Sequence, residues 1–206
     1  AGPEIAVAST KAYVCQLSAL FLFASALADK NIKNSLNEIE EMSKNLLDFD
    51  MSKIEEIADE IKNETSAIFI GKDIDSITAS EASLKLKEVA YINTASYPSG
   101  ELKHGFLALV EEGTPMIVFA GNKSFNQKTF NAAHEAVSRG AKEVVLTNEK
   151  MSENNRKKVF YFDIKNELLF PILSIVPMQY LAYQVSIKKN INPDQPRNLA
   201  KSVTVE

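Results

Sequence analysis

Ala67-Ile68-Phe69-Ile70-Gly71 and Pro115-Met116-Ile117-Val118-Phe119-Ala120-Gly121 decide how this chain folds. Each is a short, unbroken apolar run that stops at a glycine. No polar residue alternates within either, so both faces of each strand are predicted to be buried. Two further strands are expected at Glu143-Val144-Val145-Leu146-Thr147 and Val159-Phe160-Tyr161-Phe162-Asp163-Ile164. Between and after the strands, helices are expected from Ser76 to Ile92, from Phe125 to Arg139 (with Gly140 as terminator) and from about Glu167 to Lys189. Doubly buried strands alternating with helices predict an α/β fold, an open sandwich around a parallel sheet. Such sheets bind ligands beyond the carboxyl ends of their strands, near the point where strand order reverses. The loops after Gly71, Gly121 and Thr147 are therefore the expected site region.

Upstream of the first strand the pattern is helical. Ser9 or Thr10 is expected to cap a helix running to about Lys30, apolar on most faces. Ser35, with Glu38 three residues on, reads as a capping box for a second helix carrying the stripe Leu36, Ile39, Met42, Leu46 and Leu47. A third, short helix spans about Met51 to Lys62. Two apolar runs have membrane-like composition. Tyr13 to Ala28 is short and broken by Gln16, Ser18 and Ser25, and Leu168 to Ile187 carries Pro171, Pro177, Gln179 and Gln184. Both are expected to be buried helices rather than membrane spans. No basic segment precedes the first run, so no signal peptide is read, and the absence of an initiator methionine suggests a start inside a longer protein or after processing.

The formal net charge of −4 over 206 residues provides no basic field for nucleic acid or an acidic membrane. The single cysteine, Cys15, cannot form an internal disulfide and is expected to be a buried thiol in a reducing, cytoplasmic setting. One cysteine and two distant histidines, His104 and His134, argue against a structural zinc site. There is no dinucleotide fingerprint, no P-loop and no Gly-x-Ser-x-Gly elbow.

Three features point to chemistry. Glu81, Lys85 and Glu88 are spaced four and three apart, so they share one face of the helix after the first strand. Such a triple is commonly a solvated face, but here the helix starts beside the expected crevice, and a lysine-flanked carboxylate favours its charged form, as a base requires. Ser99-Gly100-Glu101-Leu102-Lys103-His104-Gly105 places a histidine in a turn, where it can move protons near neutral pH. His134, among alanines on a helix, reads as packing or surface. The last fourteen residues, from Pro193 to Glu206, hold two prolines and a single lysine, Lys201. Prolines lower the entropy of a segment, so this tail is built to follow one path and deliver an amine; a tail that only seals the fold is the competing reading. Together these groups suit proton shuttling on a small polar carbonyl compound, with which the amines can also form an imine.

Four motifs carry a resemblance to a known family: Ala1-Gly2-Pro3-Glu4-Ile5-Ala6-Val7-Ala8-Ser9-Thr10-Lys11, Leu84-Lys85-Leu86-Lys87-Glu88, Gly100-Glu101-Leu102-Lys103-His104-Gly105 and the tail from Asp194 to Glu206. From first residue to last the chain resembles the glucosamine-6-phosphate synthases, the glutamine-dependent fructose-6-phosphate aminotransferases. The resemblance implies a flavodoxin-like sugar isomerase (SIS) domain at 64–190, preceded by a helical connecting segment at 1–63 and followed by a catalytic tail at 191–206. It implies a glutaminase and a first SIS domain in the full-length protein, and a homodimer. It further implies fructose-6-phosphate as substrate and glucosamine-6-phosphate as product, with no metal or organic cofactor. Glu88 matches the base that moves a proton between the first two sugar carbons, and Lys85 the lysine beside it. His104 matches the histidine of ring opening, lent to the neighbouring subunit's site, and Lys201 the tail lysine that meets the sugar carbonyl. Val7 and Ala200 match positions whose backbone lines the sugar, and Glu81 a supporting carboxylate. Phe106, where proline is common, and Asn93, where histidine is common, depart from the family pattern in loop shape. No Ser/Thr-rich phosphate loop is present, so the isolated chain is expected to be inactive. Two other readings share the domain: a non-catalytic phosphosugar-binding module, which would lose the glutamate–lysine–histidine set, and a deglycase-like enzyme, which would lack this tail.

Overall fold

Five strands occur among the described residues: β1 (Ser66–Gly71), β2 (Asn93–Pro98), β3 (Pro115–Ala120), β4 (Lys142–Thr147) and β5 (Lys157–Tyr161). All pair in parallel, in the order β2-β1-β3-β4-β5. This is a computed structural model; it describes residues 1–47 and 49–202, the side chains of Asn45 and Leu47 excepted. The tail residues 203–206 and the Leu47 member of the helical stripe lie outside the described residues.

β1, β3 and β4 coincide with the apolar runs, while β5 begins two residues before the expected run and ends at Tyr161, leaving Phe162 to Ile164 outside it. Alternation along these four strands feeds two cores. Ile68, Ile70, Met116, Val118, Val145 and Val159 point to one face, where they meet Ala133 and Ala136 of α5 (Lys123–Val137). Phe69, Ile117, Phe119, Val144, Leu146 and Phe160 point to the other, where α3 (Ser52–Ile61), α4 (Ile74–Ala90) and α6 (Phe170–Lys188) pack. Burial of each large side chain contributes about 1.5–3 kcal/mol, and this three-layer sandwich is the α/β architecture expected. The strand order reverses between β1 and β3, so the crevice lies at their carboxyl ends.

The fifth strand, β2, was not anticipated. Asn93-Thr94-Ala95-Ser96-Tyr97-Pro98 lacks the apolar run of the others, and side-chain hydroxyls help to hold it. Thr94 Oγ1 donates to the Ser83 carbonyl at 2.7 Å and accepts from Ser83 Oγ at 3.0 Å, tying β2 to α4.

The long apolar segment near the carboxyl end is a core helix, as expected. Glu167–Lys188 is long and apolar enough to cross a membrane, yet 67% of its most apolar window is buried inside the fold. The first apolar run, α1 (Lys11–Leu27), corrects the expectation of a buried helix. It packs through Tyr13, Val14, Leu17 and Phe21, while Leu20, Phe23 and Leu27 stay exposed. Cys15 lies off the packed face and is exposed, so the buried-thiol expectation is also corrected. The second helix, α2 (Ile32–Leu47), begins before Ser35, with Asn31 Oδ1 accepting from Lys33 N–H at 3.0 Å; the capping box at Ser35 and Glu38 does not form.

Candidate functional site

Helical spacing brings Glu81, Lys85 and Glu88 onto one face of α4, and they form one charge cluster. Lys85 Nζ lies 2.7 Å from Glu88 Oε2 and 3.3 Å from Glu81 Oε1. The lysine side chain is only 5% exposed, whereas Glu88 keeps 23% and reaches solvent. Burial raises the Glu81 pKa above the usual carboxylate range, and the Lys85 ammonium partly offsets this. A buried ammonium between two carboxylates is compensated, so the cluster carries net negative charge with its lysine fixed in place. Tyr13 of α1 stands near it: burial, and then the Glu81 charge, push its phenol pKa upward.

Lys85 also lines a cavity of about 180 Å³. Ala6, Ala8 and Thr10 of the amino-terminal segment, Gln179 and Tyr183 of α6, and Pro193 and Asp194 of the tail form other parts of its wall. The two chain ends are sewn together here: Val7 N–H donates to the Asp194 carbonyl at 3.1 Å. Further on, Arg197 N–H donates to the Tyr91 hydroxyl at 2.7 Å, and its guanidinium stacks 4.3 Å from that ring's centroid. Tyr91 closes α4 in a left-handed conformation (φ 57°), so the helix that bears the cluster also holds the tail.

Lys201 pairs with Glu4 and, among the described residues, with neither Glu88 nor Glu81 of the α4 cluster. Its Nζ lies 3.4 Å from Glu4 Oε2, and Ala200 beside it is exposed. Glu4 also organises the start of α1, accepting from Thr10 N–H at 2.9 Å and Ala12 N–H at 3.1 Å. These two backbone bonds are the main cause of its low pKa, about 2, with Ser9 and Lys201 adding to the effect. Neither Ser9 nor Thr10 caps α1 through its side chain; the Glu4 carboxylate does so instead.

His104 stands apart. It is exposed in the turn between the 3-10 segments Ser99–Glu101 and Phe106–Leu109. Among the described residues no hydrogen bond or ion pair joins it to Glu88, Lys85 or Lys201. His134 is exposed on α5, as its surface reading expects.

Sequence reasoning missed Glu4, Asp194, Tyr91 and Arg197 as the parts that hold tail and amino terminus together. All except Tyr91 sit inside the quoted motifs, so the signal was on hand, but pairing across nearly the whole chain length leaves no mark on local spacing.

Comparison with known proteins places the chain in a family. Residues 60–189 match the SIS domain. The whole chain is 42% identical to part of the glutamine–fructose-6-phosphate aminotransferase (isomerizing) of Caldanaerobacter subterraneus subsp. tengcongensis, and 42% identical to part of that of Clostridium perfringens. It spans 36% of the length of each of these relatives. Among solved structures it resembles the carboxyl-terminal domain of glucosamine-fructose-6-phosphate aminotransferase from Francisella tularensis. The TM-score is 0.83 with 31% identity, covering 94% of this chain and 58% of that one.

Proposed function

Since this chain belongs to the SIS-domain family, we propose that it is the carboxyl-terminal part of the isomerase region of a glutamine–fructose-6-phosphate aminotransferase, acting in the cytoplasm. The observation that carries this reading is the cluster on α4: a partly exposed carboxylate, Glu88, held by a buried lysine at the rim of a cavity that the tail helps to close.

In the proposed reaction the open-chain ketose meets the Lys201 amine, which forms an imine at carbon 2 with loss of water. Ammonia displaces the lysine at that carbon. Glu88 then takes a proton from carbon 1, the electron pair moves into the carbon 1–carbon 2 bond as the imine nitrogen takes up a proton to give an enolamine, and a proton returned to carbon 2 with loss of the carbon 1 hydroxyl proton gives the 2-amino aldose. Lys85 orients Glu88, and Glu81 balances the charge of Lys85. The Val7 and Ala200 backbones border the sugar. His104 opens the ring from the partner subunit, which fits its exposed position away from the Lys85 cluster. A homodimer, a glutaminase and a first SIS domain bearing the phosphate loops belong to the same proposal, with 1–63 as connecting helices, 64–190 as the second SIS domain and 191–206 as the catalytic tail. The isolated chain, without those phosphate loops, is then inactive.

Borohydride reduction of the full-length protein with fructose-6-phosphate tests the imine. Mass spectrometry is expected to find the sugar adduct on Lys201. An adduct on another lysine, with Lys201 unmodified, would remove the tail from the chemistry.

A further inference from the structure

Beyond the carboxyl ends of β1 and β2 lies a second cavity, of about 210 Å³, which shares no lining residue with the one beside Lys85. Lys72 is the first residue after β1, Ser99 the first after β2, and Lys103 follows in the next turn. From α5 come Lys128, Asn131 and Glu135, spaced three and four apart and so on one helix face. Three lysines thus line one hollow whose wall contains a single carboxylate, Glu135. Among the described residues none of the three lysines is in an ion pair. Lys72 is steered toward α5, its Nζ lying 5.6 Å from the Phe125 ring centroid. Ser99 is 3% exposed, and its Oγ meets Thr129 Oγ1 only at 3.4 Å, beyond a normal O–H···O length. Ser99 lines the same cavity.

Like charges gathered without partners repel one another, and an anion relieves that repulsion while collecting charge-assisted hydrogen bonds. The cavity falls below the roughly 300 Å³ at which pockets for larger organic ligands begin, so a small anion fits better than a nucleotide. Its location, at the strand ends beside the switch between β1 and β3, is where open α/β sheets hold ligands. The geometry points to an anion site formed by Lys72, Ser99, Lys103 and Lys128, taking a phosphate group, free or on a small ester. This site uses neither Glu88 nor Lys201, although its wall from Ser99 to Lys103 belongs to the turn that carries His104.

The test is a titration of the isotope-labelled chain with inorganic phosphate, and separately with fructose-6-phosphate, at constant ionic strength set by chloride. Saturable amide shifts are expected at Lys72, Ser99, Gly100 and Asn131. Affinity is expected to fall about tenfold for each lysine replaced in Lys72→Ala and Lys72→Ala/Lys128→Ala. Lys128→Arg is expected to retain binding, and Lys165→Ala, a surface lysine outside the cavity, to leave it unchanged. Tighter binding of the ester would assign the phosphate to an ester, and tighter binding of the free ion to phosphate itself; both uphold the site. Shifts that do not saturate, that chloride reproduces, or that persist unweakened in the double variant would overturn it.

Discussion

Asp75 is 2% exposed in the first turn of α4, where one carboxylate oxygen accepts from Gly121 N–H at 2.8 Å and Asn122 N–H at 3.3 Å. The other oxygen is buried without a partner. Burial lifts its pKa to about 6, against the two backbone bonds, which pull the other way. Its folded pKa is thus above its unfolded value, so the folded state holds the proton at higher pH. The resulting stability is fully present below the unfolded value and is lost as pH rises through about 6. In urea denaturation Asp75→Asn is expected to flatten the decline in stability between about pH 4 and 6 relative to the unaltered protein. Asp75→Ala, which strands both N–H donors, is expected to cost about 1–3 kcal/mol. An unchanged slope in Asp75→Asn would mean that the buried carboxyl does not titrate there. The same reasoning separates structure from chemistry in the Lys85 cluster. Glu88→Gln leaves Glu81 to compensate the buried ammonium, whereas removal of Lys85 leaves two carboxylates facing each other.

The connection from β1 to α4 sets where that cluster sits, and Gly71 sets the connection. A Cβ at Gly71 would lie 2.5 Å from the Asp75 carbonyl carbon and oxygen, which are backbone and cannot yield. Gly71→Ala is expected to destabilise the fold by about 1–3 kcal/mol through overpacking. Gly100→Ala, where a Cβ meets nothing within 4 Å, is the control, expected to stay within about 0.5 kcal/mol. Thermal unfolding of the two variants distinguishes them; equal melting temperatures would contradict the close approach. The apolar runs at β1, β3 and β4 could be read directly because burial on both faces writes an unbroken hydrophobic pattern, and β5 was read from its Val159-Phe160 core pair. β2 could not, since a strand held in part by Ser83 and Thr94 hydroxyls has no such pattern. α1 misled for the opposite reason: its composition is apolar on most sides, but composition does not say which side finds a neighbour within this chain. Glu81, Lys85 and Glu88 were found because three- and four-residue spacing on a helix is a local signal. The Glu4–Lys201 contact, joining residues 197 apart, became visible only in the folded chain.

Taken whole, the molecule closes on itself. Its first segment and its tail pair at Val7 and Asp194, and both border the Lys85 cavity, so the proposed site depends on the two ends of the chain meeting. This closure brings Lys201 to Glu4 but not into the cavity wall, and it leaves His104 apart. If the partner subunit supplies it, mixed dimers of full-length Glu88→Gln and His104→Ala proteins are expected to regain sugar isomerisation that neither variant has alone, because one site in each mixed dimer holds both intact groups. Failure of the mixture to regain activity, with subunit exchange verified, would place His104 within its own subunit or outside the mechanism. The decisive measurement is made on full-length Glu88→Gln alone, following conversion of fructose-6-phosphate and hydrolysis of glutamine side by side. Loss of glucosamine-6-phosphate formation by at least about a hundredfold is expected from removal of a general base, with glutamine hydrolysis largely retained. Amino sugar formation at the unaltered rate in that variant would contradict the assignment of Glu88 as the proton-transferring base.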